Sequence, residues 1–318
     1  MLLSAIAYAS AKPSERYAFS EKHMGVDFGI VVYSSSSETA ENAARLAFEK
    51  ISRLDEIFSD YKDDSELSRL SKTSGSGKTV PMSKDLWTVL SASRKMSEQT
   101  SGAFDVTVGP LARRWRVARF YKKLPSNEKL RSALKSVGYK KLELYPDSRS
   151  AKLSEPNMSL DLGGIAKGSA VDQALATLRT NGANVALVDG GGDLAVGDAP
   201  PGRSGWRIEV GGRKHPELPT LNLQNLAVAT SGDIEQFIEI AGKHYSHLID
   251  PRTGIGLTNR LQVTVIAPIG MQADSLASAL SVLGPRKTSS LLKSYPKAQA
   301  YFLQGSGKNR SLLKLGKQ

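Results

Sequence analysis

The sequence predicts an α+β fold, and two observations carry the prediction. Short β-type runs follow one another closely, and amphipathic helical stretches lie between groups of them instead of alternating with each strand. That arrangement argues against a doubly wound parallel sheet, and no convincing internal repeat is present. The 318 residues suffice for a large core in one domain or in two closely packed lobes. Composition is ordinary for a globular protein, 40% hydrophobic and 23% charged, with no low-complexity block.

A formal charge of +12 and a pI near 9.7 favour anionic partners: a phosphorylated cofactor, an acidic protein, a membrane surface or nucleic acid. The densest basic stretch is Arg113, Arg114, Arg116, Arg119, Lys122 and Lys123. It lacks any zinc-finger or RNA-binding signature and reads as a solvated basic face, so no nucleic-acid partner is expected. The absence of cysteine excludes disulfides, thiolate metal sites and cysteine nucleophiles. Residues 1–16 fit two readings. One is the remnant of an export signal, with Ala7-Tyr8-Ala9 as a signal-peptidase-like site but no basic start; the other is a flexible N-terminus. No later stretch reaches the roughly 18–20 apolar residues of a membrane span, so no transmembrane segment is expected.

Taken in order, Tyr17–Tyr33 reads as two strands or one bent strand, with Gly25 leaving the backbone open to approach. Glu38–Phe58 carries Ala40, Ala43, Ala44, Ala47, Ile51, Leu54 and Phe58 at helical spacing, with Ser37 or Thr39 as cap. A short helix follows at Ser65–Leu70. The run Gly75-Ser76-Gly77-Lys78-Thr79 has Thr73 where a phosphate loop needs glycine, and it leads into Val80-Pro81 instead of a helix. It reads as a surface loop. Pro81–Gln99 is a predicted helix. Asp105 and Thr107 share one face of an extended run that Gly109-Pro110 ends. Ser126–Val137 is a predicted helix and Lys141–Tyr145 a strand.

The apolar run through Leu160 and Leu162 is predicted as a strand. Gly163 and Gly164 then supply a backbone geometry most residues resist, and Ser169–Leu178 is the helix beyond. Such a junction exposes main-chain amides and carbonyls, and Lys167 adds positive charge. It suits an anionic ligand or a metal, although a purely structural turn fits the same residues. Strands follow at Asn184–Val188, Leu194–Val196, Trp206–Val210 and Leu226–Thr230, with Asp189-Gly190-Gly191-Gly192-Asp193 and Thr230-Ser231-Gly232-Asp233 as turns. Phe237–Ile240 and Lys243–Leu248 form a hairpin. Leu261–Ala267 is a strand, Ala273–Leu283 a helix and Ala298–Leu303 the last strand. Residues 305–318 read as a frayed basic tail.

Few residues have the right chemistry for a site. Asp274 and Ser278 stand four apart, which places both oxygens on one helical face. With a main-chain carbonyl they make a hard-oxygen set suited to magnesium; equally, Asp274 caps the helix and Ser278 packs against a neighbour. His247 ends a strand-like run just before a turn set by Pro251 and Gly254, where Asp250 or a carbonyl can orient it as a general base; a structural role fits as well. Ser231 is a candidate nucleophile without the Gly-x-Ser-x-Gly elbow of hydrolases. His23, His215, His244 and His247 show no metalloprotease spacing.

Taken together, these stretches resemble the ApbE family of FAD:protein FMN transferases, once called thiamine-biosynthesis lipoproteins. The ordered motifs are Met24-Gly25, Phe58-Ser59-Asp60-Tyr61 with Ser65-Glu66-Leu67, Phe104–Leu111, Asp161–Gly168, Gly191-Gly192-Asp193, Thr230–Asp233, His247–Gly254 and Ala273–Gly284. They span roughly Tyr17 to Leu303. The resemblance implies a single catalytic domain over 17–304, two closely packed lobes with a cleft between them. It implies magnesium-dependent transfer of FMN from FAD to a Ser or Thr hydroxyl of an acceptor protein, with release of AMP. On it, Met24, Tyr61, Ala103, Phe104, Asp105, Lys167 and Ala170 match positions lining the FAD site. The Ala166 carbonyl, Asp274 and Ser278 match the magnesium ligands. His247 matches the base, and Lys167 helps position the pyrophosphate.

The sequence departs from the family pattern in four places. Ser278 replaces a usual Thr, Val26 follows Met24-Gly25, Ile255-Gly256 follow the histidine motif's Thr-Gly, and Ile234 stands where an aromatic is common. No lipid-anchor cysteine is present, so a lipoprotein is not expected of the chain as given. The expected partner is a flavoprotein subunit of an electron-transfer system, in the periplasm or another extracytoplasmic space, with the cytoplasm as the alternative. Two other functions fit the same motifs: an FAD pyrophosphatase using water as acceptor, and a non-catalytic flavin-binding or delivery protein.

Overall fold

Met24 and Gly25 turn the start of the chain back on itself. Both have positive φ, 49° and 76°, between the paired residues His23 and Val26. A two-residue hairpin needs that conformation to match the twist of its strands. The computed structural model describes residues 14–212, 217–232, 237–240, 242–306 and 309–316. Of residues 1–16, read as an export-signal remnant or a flexible N-terminus, 1–13 lie outside the described residues, as do the roles considered for His215, Asp233 and Ile234, while Glu15 and Arg16 pair with Ser34 and Tyr33.

The hairpin is β1 (Glu15–His23) and β2 (Val26–Ser34), followed by α1 (Ser37–Phe58) and α2 (Glu66–Ser71). Next come β3 (Val80–Pro81), α3 (Lys84–Gln99), α4 (Gly109–Tyr121), α5 (Asn127–Leu134), β4 (Leu142–Tyr145), β5 (Ser150–Leu153) and α6 (Ala166–Thr180). After α6 lie β6 (Ala186–Gly190), β7 (Leu194–Val196), β8 (Trp206–Glu209), β9 (Thr220–Leu223), β10 (Leu226–Gly232), β11 (Phe237–Ile240), β12 (Lys243–Ser246) and β13 (Leu261–Ala267). The chain closes with α7 (Gly270–Leu283), α8 (Pro285–Leu292), β14 (Gln299–Ser306) and β15 (Asn309–Leu315).

The main sheet has eight strands in the order β1-β2-β6-β7-β10-β13-β14-β15, every neighbouring pair antiparallel. Smaller sheets are β3-β5-β4, β8-β9 and β11-β12. The α+β expectation holds. Alternation along the strands divides two apolar faces. Phe28, Ile30, Val188, Ala229, Val263, Val265 and Phe302 pack into the large core with α1, α6 and α7. Val196, Val228, Ile266, Tyr301 and Leu303 point the other way, onto Trp206, Ile208 and Leu223 of the β8-β9 hairpin. The centre of the sheet is therefore covered on both sides, which is why β13 is buried at every residue.

The structure corrects several expectations. The run to Leu162 is not a strand; Leu160 N bonds to Ser71 Oγ at the end of α2 and Asp161 N to the Val106 carbonyl, so its donors go to helix ends and not to a neighbouring strand. Asp105 does not share an extended face with Thr107. It caps a 3-10 turn at Val106–Val108, taking Thr107 N at 2.8 Å. Gly109-Pro110 opens α4 instead of ending an element, because proline in the first helical turn gives up no bond the helix would use. Thr230, Ser231 and Gly232 continue β10. The α1 cap is Ser36, whose hydroxyl accepts from Thr39 N. The frayed tail is a strand instead: β15 pairs with β14 from Ala300↔Leu315 to Ser306↔Asn309, and β9 and α8 also went unread.

Candidate active site

A cavity of about 850 Å³ opens beside the junction of α6 and α7. The two helices meet through their backbones. Gly168 N donates to Asp274 Oδ2 at 3.0 Å. A Cβ on Gly168 would stand 2.2 Å from the Gly270 carbonyl oxygen, and one on Gly270 would stand 2.5 Å from that of Gly168. One turn along, a Cβ on Gly164 would meet Ser278 Oγ at 2.7 Å. Gly163 and Gly164 do not have positive φ, contrary to the sequence expectation. Gly164 serves close approach, not a left-handed backbone. The contact brings Asp274 and Ser278 to the cavity together, as their i,i+4 spacing predicts, and Ser278 Oγ lies 3.2 Å from Ser231 Oγ.

Charge is concentrated at this junction. Asp274 is 3% exposed, and its pKa is pushed up to about 8, first by burial and then by nearby Asp193, with Lys167 opposing. Lys167 Nζ lies 2.6 Å from Asp193 Oδ2. Burial pulls the Lys167 ammonium down, but Asp193 and Asp274 outweigh it and hold the group above its ordinary value, fully charged. Gly191 and Gly192, with φ of 70° and 99°, carry the neighbouring corner into the cavity wall, and Gly192 N bonds to Asp189 Oδ1 at 2.8 Å. Only glycine takes both conformations without strain.

A second wall is built by side chains of α4. Arg116 Nη2 reaches Asp60 Oδ2 at 2.6 Å and Asp161 Oδ2 at 3.0 Å, while its guanidinium lies 4.2 Å from the Tyr61 ring centroid. Asp161 Oδ1 accepts from Gly163 N at 2.8 Å, so this arginine also braces the glycine turn. Burial pulls Arg116 down, and Asp161 and Asp60 more than restore it. Arg119 also lines the cavity, without a hydrogen bond or ion pair to the described residues; burial and Arg116 lower its pKa.

On another face of α4, Trp115 Nε1 donates to the Gly254 carbonyl at 2.8 Å, and its ring packs 5.5 Å from that of Tyr245. The loop carrying His247 is closed by Ser246 N to Leu257 O at 2.7 Å and Leu257 N to Leu248 O at 2.9 Å. His247 lines the cavity. The Asp250 carboxylate, one of its suggested orienting groups, takes three donors from Arg252.

The family model for the ApbE family matches residues 24–302. The chain belongs to the ApbE family. It is 33% identical over 299 residues to the FAD:protein FMN transferase of Haemophilus influenzae, covering 88% of this chain and 84% of that protein. To the FAD:protein FMN transferase of Treponema pallidum it is 30% identical over 306 residues, covering 90% and 84%. Among solved structures it matches the apo form of Pseudomonas stutzeri flavinyl transferase ApbE with a TM-score of 0.82 at 28% identity, covering 95% of each chain. The Vibrio cholerae flavin transferase ApbE matches with a TM-score of 0.81 at 26% identity, over 95% and 97%.

Of the residues carried over from the ApbE motifs, Met24, Tyr61, Ala103, Phe104, Asp105, Lys167, His247, Asp274 and Ser278 line this one cavity. Ala166 and Ala170 do not; Ala170 packs fully buried in the apolar core and Ala166 begins α6. Among the described residues, no cluster of three or more His, Cys, Asp or Glu side chains is arranged to hold a metal. Sequence reasoning missed Arg116, Arg119 and Trp115 by taking the basic run for a solvated face. The signal was present: Arg113, Arg116 and Arg119 recur every third residue, which aligns them on a helix, and Arg113 bonds Ser159 Oγ at 2.6 Å.

Proposed function

We propose that the protein transfers FMN from FAD to a Ser or Thr hydroxyl of an acceptor protein, releasing AMP, in a magnesium-dependent reaction. Flavin transfer from FAD to a protein rests on membership of the ApbE family and on relatives named for that activity. The observation that supports the rest is the convergence of Asp274, Ser278, Lys167 and His247 on one cavity. The donor chemistry fits magnesium. A buried carboxyl group and a hydroxyl one helical turn away offer hard oxygen donors, and the few protein ligands leave positions for water and phosphate. Asp274 and Ser278 would hold the ion, which would neutralise charge on the pyrophosphate; the Ala166 carbonyl implied by the resemblance is not part of the cavity lining.

The remaining roles belong to the chain's own residues. The Lys167 ammonium, fixed by Asp193, orients the pyrophosphate. His247 takes the proton of the acceptor hydroxyl as its oxygen bonds to the FMN phosphorus and the bond to the AMP oxygen breaks. Arg116 keeps Tyr61 and the glycine turn in place. Since the nucleophile belongs to the partner, Ser231 need not attack. With the segment before β1 read as an export signal, the acceptor is an extracytoplasmic electron-transfer flavoprotein subunit. Among the described residues no helix is long and apolar enough to cross a membrane.

The test is incubation with FAD and magnesium, with and without a threonine peptide. Flavin covalently attached to the peptide supports transfer. FMN and AMP formed without peptide indicate hydrolysis, and intact bound FAD indicates a carrier. His247→Ala should retain FAD affinity while transfer falls by roughly a hundredfold or more, and Asp274→Ala should abolish the response to magnesium.

A further inference from the structure

The outer end of α4 presents a surface that the cavity chemistry leaves unused. From Val106 to Asn127 the chain has no acidic residue, while Arg113, Arg114, Arg116, Arg119, Lys122 and Lys123 all fall there. Phe120 is 80% exposed and Tyr121 70%, their rings edge to face at 4.9 Å, with Val117 and Leu124 exposed beside them. Arg116 and Phe120 are one helical turn apart and share a face. Arg116 and Arg119 line the cavity, and Tyr61, beneath the Arg116 guanidinium, is also largely exposed. Arg116 and Arg119 thus join the aromatic and basic end of α4 to the cavity lining.

We infer that this surface docks the acceptor protein, and that the docked segment carries carboxylates beside the target hydroxyl and an apolar side chain that covers Phe120. The inference rests on the transfer reading above. Charge selects the occupant: Arg116 is taken up by Asp60 and Asp161, but Arg113, Arg114, Arg119, Lys122 and Lys123 form no ion pair with the described residues, so the stretch attracts an anionic chain and repels a cationic one. Aromatic and arginine side chains are also the groups that anchor protein interfaces. A membrane surface attracts the same residue types. Continuity with the cavity favours the acceptor, because a segment seated on Phe120 lies one helical turn from Arg116 and can pass its hydroxyl inward to His247.

The test uses two synthetic threonine peptides of equal length, one with flanking aspartates and one with flanking lysines, each with FAD and magnesium. Wild type should favour the aspartate peptide by about tenfold or more in kcat/KM. The double variant Lys122→Glu/Lys123→Glu should lose that preference and gain activity on the lysine peptide. Phe120→Ala should raise KM for the aspartate peptide with kcat little changed. FAD affinity, followed by flavin fluorescence, should be the same in all three proteins.

Equal kcat/KM for wild type and both variants overturns the dock and leaves the transfer reading intact. So does binding of wild type to phosphatidylglycerol vesicles that Phe120→Ala abolishes without changing peptide transfer, which assigns the patch to a lipid surface. Conversion of FAD to FMN and AMP by wild type with no adduct on either peptide overturns transfer and dock together.

Discussion

Two walls of one cavity are built by different means. At the α6–α7 junction, main chain meets main chain: Gly168 and Gly270 leave no room for a methyl group, and the Asp274 carboxylate is fixed by a backbone amide. At α4, long side chains act as struts, with Trp115 holding the Gly254 carbonyl and Arg116 joining Asp60 to Asp161. The difference teaches where the protein can vary. Backbone contact fixes the Asp274 and Ser278 oxygens with little play, whereas struts set the walls that carry Tyr61 and His247 and can be adjusted one side chain at a time.

The comparison breaks most readily at Gly168. Gly168→Ala places a methyl against a carbonyl oxygen, and destabilisation of about 4 kcal/mol in urea denaturation is expected. A loss under about 1 kcal/mol would mean that the junction can part.

Asp172 sharpens the picture from the same junction. Its two oxygens accept from Gly270 N at 2.6 Å and Met271 N at 2.8 Å, capping α7, while burial raises its pKa from 3.8 to about 6. A folded-state pKa above the unfolded one favours the protonated group in the folded chain. That contribution is present below about pH 4 and lost as pH rises through about 6, a change of about 3 kcal/mol. The stability of wild type minus that of Asp172→Asn should fall by this amount between those limits. A flat difference would show that the cap carries no such cost.

On the α4 side the expected effects are smaller. Arg116→Gln leaves Asp60 and Asp161 without their shared cation and should cost about 2 kcal/mol, with weaker FAD binding because Tyr61 loses its brace. Trp115→Phe retains the ring but not the bond to Gly254. It should cost about 1 kcal/mol and lower kcat for peptide transfer while FAD affinity stays constant. Equal loss of both would place Trp115 in flavin binding instead of behind the histidine loop.

Much of this was legible in the chain. Helical spacing located α1, α3, α6 and α7, and the i,i+4 relation of Asp274 and Ser278 correctly put both on one cavity-facing side. The strands at Leu194–Val196 and Leu261–Ala267 carried enough β-type residues to be read directly. The α4 helix escaped because Gly109-Pro110 serves equally as a stop and as a start, and local sequence does not separate them. β15 escaped because it is an edge strand without alternation: Ser311, Leu312, Leu313 and Lys314 are all exposed, so neither face carries a hydrophobic pattern. The stretch before Gly163 misled in the opposite way: it is largely buried and apolar, yet its amide donors are taken by the end of α2 and by the 3-10 turn at Val106, not by a strand.

The sequence by itself determined the elements whose periodicity is strong, the α+β class, and the residue types able to handle a dinucleotide, because period and chemistry are local properties of the chain. Tertiary structure decided which of those residues meet. Gly168 against Gly270, Arg116 between Asp60 and Asp161, and Trp115 under Gly254 each join positions 45 or more residues apart. Such contacts depend on how the sheet stacks its helices, and no local window of sequence contains both partners.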